Sequence, residues 1–73
     1  MIEVFKTNVD HPGQAKMLTD VIRLRFDGYL ATFDLEDCDR ILRIESRTNA
    51  VSTTALVELL RDFGFRAEVL SDD

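Results

Sequence analysis

Hydrophobic positions along the chain switch between two periods, and the switches mark its elements. Residues 2–9 are rich in β-branched and aromatic side chains, with Glu3 and Lys6 between them, which predicts a first strand. Asp10-His11-Pro12-Gly13 breaks it. Pro12 suits the first turn of a helix, where a missing N–H costs nothing, and Asp10 or His11 precedes it as the cap. Ala15, Leu18, Val21, Ile22 and Phe26 then recur at helical spacing with Lys16, Asp20 and Arg23 between them, and Asp27-Gly28 ends the helix. Residues 29–35 alternate: Ala31, Phe33 and Leu35 share one face, and Thr32 and Asp34 the other. After the polar run Glu36-Asp37-Cys38-Asp39, residues 40–45 make the partner strand of a hairpin. Arg47-Thr48-Asn49-Ala50 reads as a loop, and Ser52 or Thr53 as the next cap. Leu56, Leu59, Leu60 and Phe63 repeat at i, i+3, i+4 and i+7, the clearest amphipathic signal present. Gly64 stops that helix, residues 65–70 make the last strand, and Ser71-Asp72-Asp73 forms a frayed acidic end.

The order is β-α-β-β-α-β over residues 1–73, with short connections throughout, so a single domain is expected. Its compact solution is a ferredoxin-like α+β sandwich: a four-stranded antiparallel sheet in strand order 4-1-3-2, with both helices on one face. That topology gathers Asp10-His11-Pro12-Gly13, Glu36-Asp37-Cys38-Asp39 and Gly64-Phe65 at one end of the molecule, where any loop-built site would lie.

Composition removes several functions. The hydrophobic share of 45% and charged share of 32% are those of an ordinary soluble globule. No apolar run is long enough to cross a bilayer, and Met1-Ile2-Glu3-Val4-Phe5-Lys6 has no leader-peptide character, so a cytoplasmic address is expected. A net charge of −5 disfavours nucleic acid and anionic membrane surfaces as partners. The one cysteine, Cys38, allows neither an internal disulfide nor a two-thiolate metal clamp within the chain.

The element order, with Phe33-Asp34-Leu35-Glu36 in the second strand and the run from Leu56 through Phe63-Gly64-Phe65 to Val69 at the end, resembles the heavy-metal-associated (HMA) domain of copper chaperones and metal-pumping ATPases. Members of that family hold metal with Met-x-Cys-x-x-Cys between the first strand and first helix. Here that loop reads Val9-Asp10-His11-Pro12-Gly13-Gln14-Ala15, without a cysteine. Soft monovalent metal needs soft thiolate ligands, so the resemblance extends to the scaffold and not to the ligand set. Phe65 corresponds to an aromatic beside the metal loop and is carried over as a loop-packing residue.

The remaining chemistry is sparse. His11, Asp37, Cys38 and Asp39, with Glu36, are the donors that could hold a divalent ion weakly; no metal site is expected, because their spacing matches neither an EF-hand nor a zinc ribbon and solvated turn residues explain them. No catalytic or cofactor-binding residue is expected. Acylphosphatases share the topology but need an arginine-containing phosphate cradle after the first strand, and RNA-recognition motifs need aromatics on the central strands. The reading is a small non-enzymatic binding or regulatory module, with weak divalent-metal handling through His11, Cys38 and the hairpin carboxylates as the alternative. Outward-facing Leu30, Ile41 or Leu70 on the uncovered sheet face, or an edge strand, would mark contact with a protein partner or a second copy.

Overall fold

The computed structural model describes residues 1–36, 38–47 and 50–70. Its elements are β1 (Ile2–Thr7), α1 (Pro12–Arg25), β2 (Tyr29–Asp34), β3 (Ile41–Ser46), α2 (Thr53–Asp62) and β4 (Ala67–Val69). The sheet runs β2-β3-β1-β4, and every neighbouring pair is antiparallel. This is the expected order 4-1-3-2 named from the opposite edge. The hairpin, the two helical crossovers and the ferredoxin-like layout follow as expected. Asp37, Thr48, Asn49 and the tail Ser71-Asp72-Asp73 lie outside the described residues.

Strand alternation sorts the sheet into two faces. Phe5 and Thr7 of β1, Leu42, Ile44 and Ser46 of β3 and Ala67 of β4 are buried. The same cluster takes Ala15, Leu18 and Ile22 from α1 and Leu56, Leu59 and Leu60 from α2, so both helices cover one face. The opposite face carries Ile2, Val4 and Lys6; Leu30, Thr32 and Asp34; Ile41, Arg43 and Glu45; and Glu68 with Leu70.

Element ends fall short of the sequence expectation where side chains or turns capture the backbone. β1 ends at Thr7 rather than at residue 9, because the Thr7 hydroxyl accepts the Val9 N–H at 3.2 Å and turns the chain, while Val9 still packs in the core. α1 ends before Phe26, which is its extended C-cap and stacks on Tyr29 with ring centroids 5.1 Å apart. β3 begins one residue late because Arg40 adopts φ +49°, a left-handed conformation that closes the hairpin. β4 is only Ala67–Val69 because the preceding residues complete the end of α2. The Phe65 N–H donates to the Leu60 carbonyl at 2.8 Å and the Gly64 N–H to the Arg61 carbonyl at 2.9 Å. Gly64, at φ +88°, supplies the left-handed residue this closure requires.

Leu56 is fully buried and Leu24, on α1, is 86% exposed. In urea denaturation, Leu56→Ala should lower the unfolding free energy by about 2–5 kcal/mol and Leu24→Ala by less than about 0.5 kcal/mol. Comparable losses at both positions would contradict this core.

Candidate functional site

The loops expected at one end of the molecule do meet there, and the end of β1 joins them. The Thr7 N–H donates to the Asp39 carbonyl at 3.1 Å, and the Thr7 hydroxyl donates to the Arg40 carbonyl at 2.6 Å, fixing the β2–β3 hairpin to β1. On the other side, the Asn8 N–H donates to the Arg66 carbonyl at 3.3 Å, and Asn8 Oδ1 accepts the Arg66 N–H at 2.7 Å, tying down the turn after α2. Within the hairpin, Asp34 Oδ1 accepts the Glu36 N–H and the Arg40 guanidinium donates to the Leu35 carbonyl at 3.1 Å. The side chains of Thr7, Asn8, Asp34 and Arg40 at this end are thus engaged with main chain.

His11 belongs to that pattern. It is the N-cap of α1, with an extended backbone, and its Nδ1 accepts the Gly13 N–H at 3.0 Å. Cys38 is exposed, and Asp39 lies 3.7 Å from Lys6 Nζ. That ion pair is half exposed and contributes less than about 1 kcal/mol. Asp37, the remaining donor singled out in the sequence, is outside the described residues. Among the described residues no three His, Cys, Asp or Glu side chains come together to hold a metal ion.

Two of the shallow depressions on the surface adjoin β4 and run from the loop end along α2. A depression of about 420 Å³ is lined by Asn8, Val57, Arg61, Gly64, Phe65 and Arg66, with Ala67 at its edge. A second, of about 270 Å³, continues it along α2 past Thr53, Thr54 and Glu58 to Val69. The two share Val57 and Arg61, so they form one groove between α2 and the free edge of β4. Val69 sits opposite Phe5, on the helix side of the sheet, yet is 43% exposed, because β4 is an edge strand of the sheet formed by the described residues. Across the strand, Leu70 pairs with Val4 on the outer face, next to Ile2, which is 54% exposed.

These outward positions match the expectation for Leu30 and Leu70, both exposed, and for Ile41, which is half-buried. Phe65 is partly buried against the core and forms the apolar wall of the groove. Thr7, Asn8, Val57, Arg61 and Arg66 were not singled out in the sequence. Val57 left one visible trace: it is an apolar residue of α2 set beside the stripe of Leu56, Leu59, Leu60 and Phe63.

Comparison with protein-family models, curated proteins and solved structures found no match in any of the three. The functional reading therefore rests on the chain's own geometry. No helix among the described residues is long and apolar enough to cross a membrane.

Thr7 is 8% exposed and its hydroxyl holds two segments at once. Thr7→Val keeps the shape but removes the hydrogen bonds to the Arg40 carbonyl and from the Val9 N–H, and should cost roughly 1–3 kcal/mol in chemical denaturation. Thr7→Ser should recover most of that loss. Equal stability of Thr7→Val and the parent would contradict the role given to this hydroxyl.

Proposed function

We propose that this chain is a small non-enzymatic binding module, built on a scaffold that resembles the HMA domain without its cysteine pair. Its contact surface is the β4 side of the sheet. The observation that carries the reading is the uncovered apolar surface on both faces there: Val69 toward α2, and Ile2, Val4 and Leu70 on the outer face. Single exposed apolar side chains are ordinary on a protein surface. Val69 and Leu70 lie at the edge of the sheet left unpaired among the described residues, with Ile2 and half-buried Val4 on the neighbouring β1, and such an edge is the feature that most readily recruits another chain. The polar residues of the loop end support the same reading, since His11, Thr7 and Asn8 serve the backbone. An exposed free thiol at Cys38 suits a reducing compartment, and we place the module in the cytoplasm.

Photo-crosslinking in the native cell tests the surface. p-Benzoylphenylalanine replaces Leu70, at the proposed contact, or Lys16, an exposed residue of α1. A discrete adduct of one mass from the Leu70 position and none from Lys16 is expected. Identical adduct patterns from both positions, or none from Leu70, would remove the reading.

A further inference from the structure

We propose that the open edge of β4 takes an extended acidic peptide segment as a fifth strand, with its carboxylates against Arg61 and Arg66; this rests on the binding-module reading above and specifies its partner. Three features of the structure converge on it. The first is the direction of the main chain. The Asn8 N–H donates to the Arg66 carbonyl and the Leu70 N–H to the Val4 carbonyl. In an antiparallel ladder the inward and outward groups alternate, so Arg66, Glu68 and Leu70 point their main chain at β1. Ala67 and Val69 then turn their N–H and C=O groups to the open edge, where an added strand would find two donors and two acceptors.

The second feature is the groove beside that edge. An incoming strand pairing with Ala67 and Val69 would set alternate side chains into it, over Val57, Phe65 and Val69. Its other side chains would lie on the outer face beside Leu70 and Val4. An alternating apolar pattern in the partner satisfies the groove directly.

Charge supplies the third feature. The upper depression, at the Gly64 end, is lined by Arg61 and Arg66 and by no carboxylate. Neither guanidinium is in an ion pair among the described residues. Glu58 lines only the lower depression; Glu68 lies on the outer face opposite Lys6 and shares a depression there with Lys6 and Arg66, so Arg61 is the arginine farther from a carboxylate on the groove side. The chain's net charge of −5 does not cancel this local pair, because salt screens exposed charges beyond roughly 8 Å at physiological ionic strength. Arginine's planar fork suits carboxylates, so the Gly64 end of the groove selects an acidic residue. A second copy of β4 is a poorer occupant: its groove-facing side chains would be Ala67 and Val69, which bring no carboxylate to the arginines. The other edge, β2, also carries a depression, of about 390 Å³ and lined by Arg23, Gly28, Tyr29, Leu30 and Arg47, but it reaches only the first two residues of that strand.

The test uses the full chain and two acetylated heptapeptides, Asp-Thr-Val-Thr-Val-Thr-Asp, which sets its valines and an aspartate on one face in either strand direction, and its counterpart with lysine for each aspartate. Amide NMR should show saturable shifts at Ala67, Val69 and the Gly64 turn with the acidic peptide. Exchange at the Ala67 and Val69 amides should slow at least about tenfold on binding, as edge groups become paired. The double variant Arg61→Glu, Arg66→Glu should weaken binding by roughly tenfold or more, and Arg43→Glu on the outer face by less than about twofold. If the double reversal does not fold, Arg61→Gln with Arg66→Gln should still weaken binding several-fold. Equal binding of the acidic and lysine peptides would overturn the proposal. So would shifts confined to the outer face, or edge protection that appears with rising protein concentration and no peptide, the signature of a second copy. Silence toward both peptides in a chain that still crosslinks from the Leu70 position would remove this proposal alone; loss of that crosslink would remove the underlying reading.

Discussion

Everything in this structure hangs on β1 being paired along both edges. Its main chain divides by parity. Met1 accepts from the Ser46 N–H on one side, whereas Val4 accepts from the Leu70 N–H and Asn8 donates to Arg66 on the other. Odd positions serve β3 and even positions serve β4, so the strand cannot shift by one residue without losing both partners and turning Phe5 out of the core. Phe5, fully buried, is the point where that constraint meets the hydrophobic one. Once β1 is central, β2 and β4 must be the edges, and the shortest strand is left at an edge with its helix-side neighbour Val57 only partly covered.

The polar loop residues answer a different demand. Every turn at the loop end leaves main-chain donors and acceptors without a ladder, and burying them unpaired would cost a few kcal/mol in total. Thr7, Asn8 and His11 meet that demand, and at the opposite end Tyr29 does the same, its hydroxyl accepting the Ser52 N–H at 2.8 Å ahead of α2. A chain of this size has few polar side chains to spare. Those used on its own backbone are not available for chemistry, which is why the concave surface beside β4, and not polar side-chain chemistry at the loop end, carries the functional reading.

The amphipathic period of α2, the proline at the start of α1 and the glycines at 28 and 64 made the elements and their order legible in the sequence, because each depends on local backbone or burial rules. The ends of strands were not. β4 is shortened by the Gly64 and Phe65 N–H groups closing onto the end of α2, and the turn before it is held by Asn8 reaching a residue fifty-eight positions away, which no local pattern encodes. His11 was legible as a cap, since it directly precedes Pro12. The groove was hidden for a related reason: Val57, Arg61, Arg66 and Val69 are unremarkable apart, and only the strand order makes them neighbours.

The most direct test of the central claim is amide hydrogen exchange along β4 in the free protein. Two-sided pairing of β1 with an uncovered outer edge predicts alternation: slow exchange at Glu68 and Leu70, whose N–H groups face β1, and fast exchange at Ala67 and Val69. Protection of all four to the same degree would mean that the edge is already covered, and would contradict the account of β4 as an open docking edge.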